Sequence, residues 1–284
     1  VTPSPSALMS AAARAVHAVV DLPPHLIVDD TARLLCEAAG SPSPLDFHLA
    51  HPSEPVLAAA RVSAAARSAY AEQLLRASGI RQYVVLGAGL DTSAWRAPPS
   101  CTVWHVDLAG VLAWRGTLLD GAGTSDLGVP VPVDLAVDDP VSELVHAGLR
   151  VDEPVFVSWL GVSMYLDADA VRRTFTSLGA LAPGSELVFD HIVPAAHRDQ
   201  AGSDYAEAVA AAVGAQGEPW RCTPTAVELD VWLDAAGWST AQSTGEADST
   251  PPGFWDRTDA LRPMELVRFT HARLPGQGAS GRNG

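Results

Sequence analysis

The chain has 284 residues, 48% of them hydrophobic, enough for one substantial core and a single domain over residues 1–273. A formal charge of −15 argues against nucleic acid and anionic membranes as partners, since both require basic side chains to neutralise phosphates. All eighteen basic residues are Arg, which excludes a lysine Schiff base and a P-loop lysine, and ATP hydrolysis with them.

In chain order, an Ala-rich pattern from Ser6 to about Gly40 predicts helix, broken at Pro23-Pro24 and restarting behind Asp29 or Asp30 as N-cap. A Pro/Ser-rich loop begins at residues 41–44 and carries His48 and His51. Residues 56–78 are again helical, with Gly79 as the stop. Residues 1–79 thus form a helical cap. Apolar runs at 82–86, 102–106, 129–133, 155–159 and 186–189 alternate with segments long enough for crossover helices, such as 168–181. Parallel neighbours require such crossovers, so residues 80–193 predict a mostly parallel α/β sheet. Residues 194–224, interrupted by Gly202, Gly214 and Gly217, suit a lid inserted after the fifth strand. Residues 225–236 predict a helix with Thr223 or Thr225 at its cap. Runs at 239–243 and 265–270 then suit an antiparallel edge pair, and 274–284 a disordered tail.

The chemistry concentrates at Tyr83-Val84-Val85-Leu86-Gly87-Ala88-Gly89-Leu90-Asp91-Thr92. An apolar strand running into Gly-x-Gly lets backbone approach a ligand, and Asp107, about twenty positions on, suits a ribose diol. A dinucleotide site wants a third glycine where Thr92 stands, which disfavours a nicotinamide-dependent oxidoreductase. S-adenosylmethionine has no phosphate to seat, and its sulfonium suits an acidic site.

Blander readings stand beside these. Asp107 and Asp134 each end a predicted parallel strand, where open α/β sheets bind ligands, although both are also placed to cap helices. Asp91 and Arg96 fit a loop-fixing ion pair as well as, for Asp91, a cofactor contact. Tyr165 is either a half-buried core ring or a hydroxyl facing an acceptor. Asp190-His191 ends the fifth strand, and His191 has general-base chemistry unless it is a packed core histidine. His197 is a weaker candidate from the lid. His48 and His51 lack a third ligand, and Cys36, Cys101 and Cys222 lie far apart, so no metal site or disulfide is expected. With no leader-like N-terminus and no apolar run of about eighteen residues, the expectation is a cytoplasmic protein.

Residues 81–92 with Trp95-Arg96 form a specific string. It is supported in order by Ala11-Ala12-Ala13-Arg14-Ala15, Ala66-Arg67-Ser68, Val106-Asp107-Leu108, Asp134-Leu135, Gly161-Val162-Ser163-Met164-Tyr165-Leu166 and Leu187-Val188-Phe189-Asp190. From about Ser6 to Thr270 the chain resembles the leucine carboxyl methyltransferase family in its broad sense, bacterial polyketide carboxyl methyltransferases included. The resemblance implies a Rossmann-like class I methyltransferase sheet with S-adenosylmethionine lying across the ends of the first three strands. By position, Gly87, Ala88 and Gly89 approach its methionine part. Asp107, with Leu108 beside it, takes the ribose, and Asp134 and Leu135 hold the adenine. Arg67, assisted by Arg14, pairs with its carboxylate. Two residues depart from the family pattern. Leu160 stands where many relatives carry Glu, which leaves main-chain contacts from Trp159 and Leu160, and Ser93 replaces an Arg. The implied reaction is O-methylation of a carboxylate or hydroxyl on a small secondary metabolite or peptide terminus, with Tyr165 and His191 as catalytic candidates. A carboxylate needs no base, whereas a hydroxyl benefits from one such as His191. A protein that binds the cofactor without catalysis is the remaining alternative.

Overall fold

Apolar runs without alternation belong to strands covered on both faces, and the centre of the sheet is built from them: β1 (Gln82–Leu86), β4 (Val155–Trp159) and β5 (Glu186–Ile192) are buried along their whole length. The computed structural model describes residues 4–213 and 219–276. Ahead of the sheet lie α1 (Pro5–Val20), α2 (Asp30–Ala38), α3 (Pro44–Ala50) and α4 (Pro55–Ser78). Along the chain follow β2 (Thr102–Asp107), α5 (Ala109–Gly121), β3 (Gly128–Pro132), α6 (Pro140–His146), α7 (Ala168–Leu178), α8 (Gln200–Val213), α9 (Ala226–Ala235), β6 (Ser239–Gly245) and β7 (Val267–Arg273).

The strand order is β3-β2-β1-β4-β5-β7-β6. The first five strands are mutually parallel, and β7 pairs antiparallel with both β5 and β6. This is a Rossmann-like mixed sheet with an antiparallel edge. The edges are blunted: β3 carries Pro130 and Pro132, which lack an N–H to offer a neighbour, and β6 is largely polar and exposed. One face buries Val84, Leu86, Val157, Trp159 and Phe189 against α7 and α9, and the other packs Tyr83, Val85, Phe156, Val188 and Phe269 beneath α4. From β1 the order runs to β2 on one side and β4 on the other. At such a reversal a crevice opens beyond the carboxyl ends of the strands.

Local signals explain most boundaries. Asp29 caps α2 by accepting from Ala32 N at 3.0 Å, α4 ends where Gly79 takes φ 68°, and Thr225 with Glu228 forms a capping box on α9. Three expectations are corrected. The loop from residue 41 gives way to helix α3, started by a capping box between Ser43 and Asp46. β5 continues three residues past Phe189, because β7 pairs with Asp190, His191 and Ile192. Leu274 does not begin a loose tail: it is buried, and its N–H donates to Ser185 O at 2.9 Å. Residues 277–284 of the expected tail, and 214–218 of the expected lid, lie outside the described residues. Among the described residues, no helix is long and apolar enough to cross a membrane.

Candidate active site

β1 delivers the chain into a turn that only glycine accommodates at two points. Gly87 has φ 65° and Gly89 φ 45°, the left-handed region where a side chain is strained. A Cβ on Gly87 would stand 2.3 Å from Val162 Cγ2, and one on Gly89 3.1 Å from Ala7 Cβ. The turn is therefore held between α1 and the segment after β4. Asp107 ends β2 beside it, Oδ2 accepting from Gly89 N and Oδ1 from Leu108 N, each at 2.7 Å. Burial pushes its pKa up, against those two hydrogen bonds and the charge of Arg115. A carboxylate offers about four lone-pair sites, so both oxygens retain capacity for the hydroxyls of a sugar diol.

A buried charge network ties the helical cap to this turn. Arg14 donates from Nη2 to Leu90 O at 2.7 Å and from Nε to Asp29 Oδ2 at 3.0 Å. Asp29 also accepts from Thr92 Oγ1 and pairs with Arg96 at 2.9 Å, while Arg96 reaches Glu72 at 2.7 Å. The expected Asp91–Arg96 pair gives way to this arrangement. Asp91 accepts instead from the backbone N–H and hydroxyl of Ser93.

On the far side of the crevice Arg67 is 17% exposed, donates to Ser10 Oγ at 2.7 Å and stands 3.6 Å from Asp190 Oδ2. Its guanidinium lies against Gly161, φ 71°, where a Cβ would approach it to 3.0 Å. Asp190 is fully buried and accepts from Gly161 N at 2.6 Å, so one carboxylate fixes both Arg67 and the turn after β4.

One cavity of about 680 Å³ joins these parts. Arg67, Gly87, Ala88, Gly89, Asp91, Asp107, Leu108, Leu160 and Tyr165 line it, as does Arg14. Four expected site residues do not. His191 is corrected by strand geometry: successive side chains point to opposite faces, so with Asp190 toward Gly161, His191 joins Phe189, ring centroids 6.0 Å apart. Burial, aided by Arg268, lowers its pKa to about 4. The Trp159 ring is turned into the core against Phe175, at 5.6 Å, and of the two main-chain contacts expected here Leu160 is the one on the cavity wall. Asp134 is used in a local turn, accepting from Ala136 N at 2.9 Å, and Leu135 packs in the core. Tyr205 of α8 also lines the cavity, and nothing local in its Ala-rich helix sets it apart in the sequence.

These residues fit S-adenosylmethionine: a side-chain-free turn, a carboxylate for a ribose and a guanidinium for a carboxylate, in a volume ordinary for small-ligand sites. Among the described residues no cluster of three metal-ligating side chains occurs.

Behind the wall carrying Ser63 lies Glu246, completely buried, its Oε1 without a hydrogen-bond partner among the described residues. Burial raises its pKa from 4.5 to about 7, against hydrogen bonds from Ser63 and Met264 N. The folded state therefore holds the extra proton, and this group's contribution to stability falls as pH rises from about 4.5 to 7. Glu246→Gln should be more stable than wild type at pH 8 by about 3 kcal/mol beyond any difference at pH 4, by urea denaturation. An equal difference at both pH values would contradict this.

The leucine carboxyl methyltransferase family model matches residues 7–179. A provisionally named S-adenosyl-L-methionine-dependent methyltransferase of Mycolicibacterium paratuberculosis is 37% identical over 204 residues, 69% of this chain and 66% of the relative. The chain thus spans just under two thirds of that relative's length. A provisionally named methyltransferase from Thermobifida fusca YX shares the fold with a TM-score of 0.60 at 19% identity, over 95% of this chain and 94% of its own. Human N-acetylserotonin methyltransferase, solved in complex with S-adenosylmethionine, gives 0.50 at 12% identity, over 87% and 67%. The fold is that of the Rossmann-like methyltransferases. The chain belongs to the leucine carboxyl methyltransferase family, and the relatives it matches are named as S-adenosyl-L-methionine-dependent methyltransferases, not as nicotinamide enzymes.

Proposed function

We propose that this protein transfers a methyl group from S-adenosylmethionine to a carboxylate oxygen of a small molecule. The turn at Gly87–Gly89 and Arg67 hold the methionine part, Asp107 the ribose, and Leu108 with Val111 the adenine end of the cavity. The last assignment replaces Asp134 and Leu135, which lie off its wall. When bound, the cofactor supplies a methyl on a positively charged sulfur.

The observation that carries the choice of acceptor is the lack, among the described residues lining the cavity, of a group suited to accept a proton near neutral pH. His191 faces the core. His48 lines the cavity, but burial and Arg61 lower its pKa to about 4. Burial raises Tyr205 to about 12, so it stays a neutral donor. Asp91 is engaged by Ser93, and Asp107 stands at the ribose end. A carboxylate is already ionised, so the oxygen bonds the methyl, the sulfur leaves neutral with the bonding pair, and no proton moves. The protein's part is positioning and exclusion of water.

Transfer of labelled methyl to carboxylic acids should therefore give a kcat/KM flat within about threefold from pH 6 to 9, with matched alcohols and phenols at least a hundredfold slower. Equal rates for alcohols, or a tenfold rise per pH unit, would overturn the carboxylate assignment. Tight cofactor binding with no transfer to any acceptor would favour the non-catalytic alternative.

A further inference from the structure

Part of the cavity wall is apolar and continuous with the core cluster beneath α4. This part comprises Leu57 of α4, Met164 after β4, Ile192 at the end of β5, Val209 of α8, and Leu266 and Val267 where β7 begins. Tyr165, Tyr205 and Trp220 complete it. Among the described residues the acids lining the cavity are Asp91 and Asp107, both at the cofactor end. Arg221 lies exposed at its margin.

The covering helix is seated, because Gly202 in its first turn lies so close to Glu265 that a Cβ would come within 2.5 Å of the carbonyl oxygen. The aliphatic walls carried by α8 and by the start of β7 are thereby fixed relative to one another. Tyr205 stands close enough to Arg67, and to Glu246 behind the wall, for their charges to act on its hydroxyl.

Resting on the methyl-transfer reading above, we propose that the acceptor is a hydrophobic acid: a single carboxylate on an aliphatic or aromatic body, with the Tyr205 hydroxyl donating to the carboxylate and the body enclosed by the aliphatic walls. A peptide end would bring backbone N–H and C=O groups into a chamber with few partners, and each one left unpaired weakens binding. An α-amino acid would bring an ammonium that no lining carboxylate in this half is placed to meet. An alkyl or aryl body gains in proportion to the apolar area it removes from water.

The test is calorimetric titration of octanoate, 4-phenylbutyrate, glutarate and acetyl-diglycine into the protein saturated with the demethylated cofactor, S-adenosylhomocysteine. Octanoate and phenylbutyrate should bind at least thirtyfold more tightly than glutarate or the peptide. Val209→Asp should weaken octanoate at least tenfold while leaving S-adenosylhomocysteine affinity within twofold. Tyr205→Phe should weaken octanoate but leave octanol binding unchanged. Equal or tighter binding of glutarate or the peptide, or no binding of any acid to the saturated protein, would overturn the proposal. Failure of S-adenosylhomocysteine itself to bind would instead overturn the methyl-transfer reading beneath it.

Discussion

Gly87→Ala is expected to lower S-adenosylmethionine affinity about a hundredfold. An alanine at φ 65° carries roughly 1–2 kcal/mol of strain, and its Cβ, 2.3 Å from Val162 Cγ2, adds about 1–3 kcal/mol of overpacking. The turn relieves both by moving, and movement displaces the backbone that is to meet the ligand. Val162 is β-branched and stiff, so rotation alone does not clear the space. The control is Gly87→Ala with Val162→Ala, which removes the clash but not the φ strain and should recover part of the lost affinity. Wild-type binding by Gly87→Ala would show that the turn does not touch the cofactor.

Asp29→Ala should destabilise the protein by about 3–5 kcal/mol, the cost of stranding buried charges. Its side chain has no exposure and serves Arg14, Arg96, Thr92 and the first turn of α2 together. Burial alone would raise its pKa, but Arg14 and Arg96 outweigh that and hold it below the usual carboxylate range. Its folded pKa being depressed, the stabilisation is present above about pH 4 and is lost as pH falls through the folded value. Asp29→Asn keeps acceptors for Ala32 N and Thr92 but not the charge, so it should fall between wild type and alanine. Because Arg14 holds Leu90 O, cofactor affinity should drop with stability in both variants. A loss below 1 kcal/mol in urea denaturation of Asp29→Ala would show that the network contributes little.

How far the sequence carries depends on the range of the interactions involved. β1 and β4 are legible to the residue, because unbroken apolar runs bounded by turn residues have one reading in a parallel sheet. Asp29 is legible as an N-cap, a contact three residues long, but not as the hub of the cap, since Arg14, Thr92 and Arg96 reach it only through the tertiary fold. The glycine turn and Asp107 are legible together because both lie within one strand-to-strand crossover, although that crossover carries only a three-residue 3-10 turn, Ser93–Trp95, where a helix is the usual expectation. His191 and Asp190 look like one functional pair in the sequence. The continuation of β5 through Ile192 separates them onto opposite faces, and counting the alternation that far would have shown it. Asp134 follows β3 as expected, yet the chain turns on it locally before it meets the crevice. α3 is only seven residues long and starts at a proline, so its helical period is too short to register.

Titrating S-adenosylmethionine by calorimetry into wild type and Asp107→Asn tests the central claim most directly, because that carboxylate joins the glycine turn to the ribose site. Loss of its charged hydrogen bonds should weaken binding by about 1.5–3 kcal/mol, roughly ten- to a hundredfold, with an unchanged one-to-one stoichiometry. No binding to the wild type, or equal affinity for the two proteins, would contradict the assignment of this crevice to the cofactor.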